Sequence, residues 1–292
     1  MSLYKPKLYV VALFISIPVL LYFFMVMMPL LSAFYYSFFG GTMFNIEGFI
    51  GIDNYVGVLT DETFWQALRN NFIIAGLGII FQLTTSFALA VILYFGKIKL
   101  VSYFRAVFFF PVIIAPLVVA LLWQIIYNFR FGMLNNILIA VGLEDWRQDW
   151  LGNTDIAIFS VAVPLIWQFI GLYMIIMLAG LSNISKDVLE MAEIDGATAF
   201  QRAVHIVFPL LKNTINVCLL LSISGGVRIF EQVFVMTMGG PGYATITLAM
   251  YSFLHTFRFG NIGYGATIAI MMLIISLLLI AFVFTLRRGE RE

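Results

Sequence analysis

Residues 188–211 read VLEMAEIDGATAFQRAVHIVFPLL, and the charges in and beside this stretch decide how the chain folds. A segment this rich in charge cannot lie in the hydrocarbon core of a bilayer, where ionised side chains are costly and rare. The stretch therefore lies in water, between two hydrophobic segments. Its charged residues are Lys186, Asp187, Glu190, Glu193, Asp195, Arg202 and Lys212, with His205 added when it is protonated.

The stretch predicts two short helices joined by a turn. Ser185 is placed to cap the first helix, with Asp187 in its first turn at the positive end of the helix dipole. Gly196 predicts a stop or a sharp bend, and Asp195 is placed to cap the second helix. By periodicity alone, that second helix could equally rest on the bilayer surface. Its predicted apolar face consists of Ala199, Phe200, Ala203, Val204 and Val207.

Small and acidic residues follow one another here in a specific order, EMA, two residues, DGA, and after a spacer an Ile and a Pro. This order resembles the EAA loop of ABC importer permeases. Three positions, Met191, Ala203 and Phe208, depart from the usual residues of that loop. The residues that carry the resemblance are Glu190, Ala192, Asp195, Gly196, Ala197, Phe200, Ile206 and Pro209.

The resemblance implies a coupling helix, within a loop at 185–210, that docks into a groove on a separate ATPase subunit. Small residues would permit close backbone approach at such a contact, and Phe200 would be its apolar anchor. The residues assigned to this contact are Glu190, Ala192, Asp195, Gly196, Ala197, Phe200 and Arg202.

Composition independently indicates a polytopic membrane protein. Hydrophobic residues make up 62% and charged residues 11% of the 292 residues, against about half and about a quarter in soluble proteins. The formal net charge of +1 favours neither nucleic acid nor an acidic partner. The uncharged run at 8–39 is too long for the core of a signal peptide, so we expect a retained span.

Uncharged runs long enough to cross a bilayer, which takes about 20 residues, number five. A sixth, at 213–238, requires Arg228 and Glu231 to lie in the membrane. The sequence thus predicts an all-α, six-span protein forming one domain over 1–292. The spans are expected at about 10–38, 71–95, 105–128, 156–181, 213–238 and 262–286.

Positive charge predicts the orientation, because cytoplasmic loops are enriched in Lys and Arg. Four positive residues lie on the side of the first, third and fifth loops: Arg69, Arg130, Arg147 and Arg258. The other side, which includes both termini and the 185–210 loop, is therefore predicted to be cytoplasmic. Its positive residues are Lys5, Lys7, Lys97, Lys99, Arg105, Lys186, Arg202, Lys212, Arg287, Arg288 and Arg291.

The opposite loops, 40–70 and 130–155, resemble those of sugar-importer permeases, which implies a surface that receives an extracellular solute-binding protein. From their residues alone, they could also simply cap the spans. The stretch MTMGGPGYAT at 236–245 resembles the GGPG segment after the fifth span of carbohydrate permeases. Its glycines and Pro241 predict a tight turn in any case.

Polar groups inside the predicted spans are candidates for a substrate path. Arg228 and Glu231 are spaced to pair at i and i+3, which would offset part of the cost of burial. Either a structural pair or a polar cavity lining would fit this spacing. The candidate residues for the path are Arg228, Glu231, Gln232, Trp167, Gln168 and Tyr173.

Motifs for chemistry on the chain itself are missing from the sequence. It contains neither a GxxxxGK[ST] phosphate loop nor an HExxH metal motif. We therefore expect no metal, cofactor or catalytic residue on this chain, with ATP and Mg bound by the partner ATPase. Prolines at 111, 116 and 164 are expected to kink their helices.

Together these features resemble one permease subunit of a maltose-type ABC importer in a prokaryotic plasma membrane. The resemblance implies a second related permease, two ATPase subunits, a solute-binding protein and surrounding lipid as partners. Alternating access would move a di- or oligosaccharide. The alternatives are an importer of a polyol, glycerol phosphate or osmolyte, and, from another class, an intramembrane enzyme that uses Arg228 and Glu231.

Overall fold

A computed structural model describes residues 7–42, 45–96 and 98–288, and within these the chain is mostly helical. Three of the charges used for orientation, Lys5, Lys97 and Arg291, lie outside the described residues. One short antiparallel hairpin pairs Phe39–Thr42 with Asn45–Phe49. The α-helices are Leu8–Tyr22, Met28–Tyr36, Asp53–Thr60, Glu62–Leu77, Thr84–Phe95, Val101–Ile113, Pro116–Ile126, Met133–Ala140, Ala157–Ser182, Lys186–Ile194, Ala199–Arg202, Phe208–Leu210, Lys212–Val227, Glu231–Met236, Leu248–Phe253 and Ile262–Arg288. Shorter π and 3-10 turns lie at Phe23–Met27, Gly78–Leu83, Glu144–Trp146, Ala203–Val207 and Leu254–Arg258.

Helices long and apolar enough to cross a membrane match the six predicted spans. A broken pair, Val101–Ile113 and Pro116–Ile126, makes the third span. The all-α, six-span prediction is therefore confirmed. The five continuous spans are Leu8–Tyr36, Glu62–Phe95, Ala157–Ser182, Lys212–Met236 and Ile262–Val283.

The third span is bent by 95° at its break, so it is not one straight helix over 105–128. Pro116 explains the break, because a proline disfavours the helical conformation of the residue before it. Ala115 indeed has a ψ of 134°. Pro164, by contrast, lies inside a helix that continues from Ala157 to Ser182.

Contacts divide the chain into two compact units, Met1–Asp61 with Ser252–Leu273 and Glu62–Tyr251 with Ile274–Glu292. The single-domain organisation stays a prediction. In the first unit, the amide of Asn54 donates to the carbonyls of Ser37 (2.9 Å) and Phe39 (3.0 Å), which fixes the start of the hairpin.

The second unit contains a core between its spans and the 185–210 loop. Gly171 lets the fourth span approach the third, because a Cβ there would overlap the carbonyl oxygen of Phe108. Three residues of the loop and its end, Leu189, Val207 and Leu211, belong to the same core. The loop is thus packed onto the spans. The core consists of Leu83, Ala90, Leu93, Tyr173, Met174, Met177, Leu178, Leu181, Leu189, Val207, Leu211 and Cys218.

Candidate functional site

The first helix of the loop, Lys186–Ile194, ends at a glycine that has a left-handed conformation. Gly196 has a φ of +81°. Its N–H donates to the Glu193 carbonyl (3.1 Å), and the Ala197 N–H donates to the Ala192 carbonyl (2.9 Å). These two bonds form a Schellman motif, which favours glycine at this position. The predicted bend at Gly196 is confirmed. Ser185 occupies the N-cap position, but its side chain makes no capping hydrogen bond.

The second helix is capped by Thr198, so the expectation that Asp195 caps it is wrong. The Thr198 hydroxyl accepts from the Gln201 N–H (3.2 Å), and the Gln201 Oε1 accepts from the Thr198 N–H (2.8 Å). This reciprocal pair is a capping box. Asp195 instead ends the first helix, where its backbone is still helical. The Thr-x-x-Gln spacing was the signal that identifies the cap.

The apolar face predicted for the second helix is split in two. Ala203 and Val207 are buried in the protein, whereas Phe200 is 75% exposed and Val204 is exposed as well. A π turn at Ala203–Val207 follows the single α turn. Of the five positions, only Ala203 and Val207, which lie four residues apart, are buried.

An exposed apolar patch remains on the outside of the loop. We define this loop patch as Met191, Ile194 and Phe200, of which Ile194 is 84% exposed. Large apolar side chains that are exposed on a segment lying in water are candidates for an interaction surface. Of the other predicted contact residues, Glu190, Asp195 and Gly196 are exposed, Ala197 is partly buried, and Ala192 is buried within the chain.

Arg202 also turns inward, although it was assigned to the contact with another subunit. Its side chain is 13% exposed, and its Nη1 lies 2.6 Å from the Glu193 Oε2. The guanidinium lies 5.0 Å from the centre of the Phe95 ring, at the end of the second span. Arg202 therefore joins both helices of the loop to a span.

A small cavity of about 180 Å³, lined mostly by apolar side chains, lies between the second, fourth and fifth spans. Its lining includes Gln82, Tyr173, Ser222 and Arg228. The Ser222 hydroxyl donates to the Gln82 Oε1 at 3.5 Å, and both residues are buried. Two predicted path residues, Tyr173 and Arg228, thus meet here. Gln82 and Ser222 were missed, although an amide inside an otherwise apolar run is itself a signal.

The predicted ion pair between Arg228 and Glu231 is not formed. The helix ends at Val227 and restarts at Glu231, so the two residues lack helical spacing. The Arg228 Nε donates to the Ser224 carbonyl instead, at 3.2 Å. Both side chains are exposed in this chain.

The remaining path candidates divide between a buried pair and an exposed ring. Gln168 and Gln232 are both buried, and the Gln232 Nε2 donates to the Gln168 Oε1 at 3.5 Å. The Gln168 Nε2 donates to the Ile114 carbonyl (2.8 Å) at the break in the third span. Trp167 is exposed and contacts the ring of Trp123 edge-on. Gln168 and Gln232 thus connect two broken spans.

Two neighbouring asparagines of the second span, which the sequence interpretation missed, hold the break in the fifth span and the turn after it. Asn71 donates to the carbonyls of Gly226 and Val227. Asn70 donates to the carbonyls of Ala244 (2.9 Å) and Ile246 (2.8 Å). The GGPG segment is therefore fixed to the second span. The tight turn predicted there is confirmed by positive φ angles at Met238, Gly239, Gly242 and Tyr243.

A wider cleft of about 790 Å³ lies beside the GGPG segment. Gln124, Asn128, Arg130 and Asp149 line it together with Pro241. Among the described residues it combines amides and charges of both signs, which suits a polar ligand or a polar protein surface.

Comparisons with known proteins place the chain in a family. No family model matches the chain. It is 34% identical to a Bacillus subtilis (strain 168) protein described as a probable ABC transporter permease, YurN, over 90% of this chain and 91% of the relative. It is 30% identical to AraP of the same species, an arabinooligosaccharides transport system permease (85% and 79% covered). It is 29% identical to MalF of Thermococcus litoralis, a trehalose/maltose transport system permease (86% and 84%).

Solved structures share the fold. A bacterial ABC transporter that imports the acidic polysaccharide alginate has a chain that matches with a TM-score of 0.84 and 21% identity, over 96% of each chain. A second structure, of the alginate transporter with an alginate-bound periplasmic protein, matches with a TM-score of 0.80 and 23% identity, over 94% of this chain and 92% of that one. The relatives are membrane permeases, so the alternative of an intramembrane enzyme is set aside. The chain is a multi-pass membrane protein that belongs to the permease family of ABC transporters, a family that includes sugar permeases.

Proposed function

We propose that this permease is one membrane subunit of an ATP-driven, binding-protein-dependent importer of sugars of di- or oligosaccharide size. The observation that carries the proposal is the construction of the 185–210 loop. Its inner side is anchored in the core of the spans through Leu189, Val207 and Leu211. Its outer side presents the loop patch. A rigidly held projection with an apolar tip suits a partner that must push on the spans.

The partner that fits this projection is a separate ATPase subunit, which binds ATP and Mg. Two such subunits, a second related permease and a solute-binding protein complete the assembly. ATP-driven closure of the ATPase pair moves the loops as levers, and the cavity between the spans opens alternately to either side. Support comes from the EAA-like order of the loop and from the alginate transporter, which has been captured with a periplasmic protein.

The cargo assignment rests on the chemistry of the cavity and on the relatives. Gln82, Ser222 and Tyr173 offer neutral hydrogen-bonding groups of the kind that bind sugar hydroxyls. The cavity of about 180 Å³ is smaller than the 300–1,000 Å³ or so of typical ligand sites. Sugar therefore enters only when the spans separate. Permeases for arabinooligosaccharides and for trehalose and maltose among the relatives support this class of cargo.

The charge asymmetry supports an orientation with both termini and the 185–210 loop in the cytoplasm of a prokaryotic cell. Eleven positive residues lie on that side against four on the other. In this orientation the loop lies on the side where ATP is present. A cysteine introduced at exposed Ser182, with Cys218 replaced by Ser, should be labelled by an impermeant thiol reagent only in inverted vesicles.

Uptake in vesicles tests the cargo. The complete transporter, with its own binding protein, should accumulate labelled maltose or a longer oligosaccharide only when ATP is supplied. A polyol, glycerol phosphate and glycine betaine serve as the alternative cargoes. Selective accumulation of one of these three would replace the sugar assignment and leave the transport mechanism intact. Uptake that does not depend on ATP would contradict the mechanism itself.

A further inference from the structure

Arg202 occupies the point at which three elements of the second unit meet. It is the last residue of the second loop helix, Glu193 lies in the first loop helix, and Phe95 is the last residue of the helix that ends the second span. The charged contact between Nη1 and the Glu193 Oε2 is short, at 2.6 Å, while Glu193 itself is largely exposed. The ring of Phe95 receives the guanidinium at 5.0 Å.

These contacts use two different properties of arginine. Its fork of N–H donors binds a carboxylate, and its flat face stacks on an aromatic ring. A cation over an aromatic face is attracted by the ring quadrupole, more strongly when it is shielded from water. Arg202 is 13% exposed and is therefore largely shielded. A lysine could keep the charge but could not make both contacts with one rigid group.

We propose that Arg202 is a positioning residue that transmits the movement of the loop into the second span, and that it does not itself contact the ATPase. This inference rests on the proposed function of the loop. The loop patch meets the ATPase, the Arg202–Glu193 pair makes the two loop helices move as one body, and the stack on Phe95 passes that movement to the second span. The second span carries Gln82 of the cavity and Asn71, which holds the break in the fifth span.

The test uses the complete transporter in proteoliposomes and measures three quantities: the ATPase retained on purification, the rate of ATP hydrolysis, and the solute transported per ATP. Arg202→Met should retain the ATPase and its hydrolysis, while the solute transported per ATP falls about fivefold or more, a typical coupling between sites. Arg202→Lys should reduce the solute transported per ATP by a smaller factor. Lys186→Met removes an exposed positive charge from the same loop and should leave all three quantities unchanged.

A second comparison separates transmission from simple loss of charge. The double variant Glu193→Gln with Arg202→Met should transport as much solute per ATP as Arg202→Met alone, because both changes remove the same Arg202–Glu193 contact. Phe95→Leu keeps the ion pair and removes the stack, so it should also lower the solute transported per ATP. It serves as the test if Arg202→Met does not fold.

Two results would overturn the proposal. An unchanged amount of solute per ATP in Arg202→Met, or in Phe95→Leu where the first variant fails to fold, would mean that the Arg202 contacts do not transmit the movement of the loop. Loss of the ATPase from Arg202→Met would place Arg202 in the subunit contact. A wild-type transporter from which no ATPase copurifies would instead refute the proposed function of the loop.

Discussion

Asn71 contacts the fifth span just before its break, where the Asn71 Nδ2 donates to the Gly226 carbonyl at 2.9 Å. The same nitrogen donates to the Val227 carbonyl at 3.0 Å, and the Oδ1 accepts from the Leu248 N–H at 2.9 Å. One buried side chain thus satisfies the last carbonyls of one helix and the first N–H of another. In a membrane span, irregular backbone requires such partners because lipid offers none.

Replacement of Asn71 should therefore be destabilising. Asn71→Leu keeps the branched shape but leaves two carbonyls and one N–H without this partner, and each orphaned group costs about 1–3 kcal/mol. We expect a lower midpoint of thermal unfolding in detergent and less folded protein. Gln66→Leu removes one exposed hydrogen bond to the Tyr243 carbonyl and should shift the midpoint little. Equal shifts in the two variants would show that the Asn71 bonds add no stability.

Gly171 should not tolerate even a methyl group. A Cβ at Gly171 would overlap the Phe108 carbonyl oxygen, so Gly171→Ala must push the third and fourth spans apart, at a cost of about 1–3 kcal/mol. Gly76→Ala is the matched control, because a Cβ there meets no atom within 4 Å. The control should be neutral or stabilising by up to about 1 kcal/mol. Unfolding of both variants in detergent measures the difference, and an unaffected Gly171→Ala would refute the close approach.

Composition and charge were sufficient to predict the six spans and the water-exposed loop. A run of about 20 apolar residues has few alternatives in a bilayer, and the charges near 185–210 exclude that segment from it. Gly196 was predicted for a local reason, because its turn is defined by bonds within five residues. These features depend on short stretches of sequence.

The cavity and the asparagine contacts to the fifth span and the turn after it were not predicted, because they depend on residues far apart in the chain. Gln82 meets Ser222 across 140 residues, and Asn70 meets Ile246 across 176. The predicted pair of Arg228 with Glu231 failed for a related reason: helical spacing was assumed where the helix breaks. The inward position of Arg202 was not predicted because it depends on Phe95, which lies on another span far away in the sequence.

Gly196 should discriminate between substitutions by backbone conformation. Its φ of +81° costs an ordinary L-residue about 1–2 kcal/mol, whereas Asn adopts positive φ more readily. We expect ATP-driven uptake to fall in Gly196→Asp and Gly196→Ala and to persist best in Gly196→Asn, with similar amounts of each protein in the membrane. Normal uptake in Gly196→Asp would count against the loop as a lever.

His255 should make stability depend on pH. Burial lowers the pKa of its imidazole below the ordinary value of 6.5, and the carboxylate of Asp61 partly opposes this effect. The folded protein thus binds fewer protons than the unfolded chain just below pH 6.5, so the free energy of unfolding should fall as pH drops through that range. Unfolding of His255→Gln between pH 7.5 and 5.5 should depend less on pH. If the pH dependence of unfolding is the same in His255→Gln as in the wild type, other groups must cause it.

The central claim is that the loop patch docks on a separate ATPase subunit. The most direct test is whether a Phe200→Lys variant retains that ATPase on purification. Phe200 is 75% exposed, so this variant should enter the membrane normally yet lose both the copurified ATPase and ATP-driven uptake. Trp146→Lys, a change at an exposed aromatic residue elsewhere, should retain the ATPase. A Phe200→Lys transporter that keeps its ATPase and transports at the wild-type rate would contradict the account.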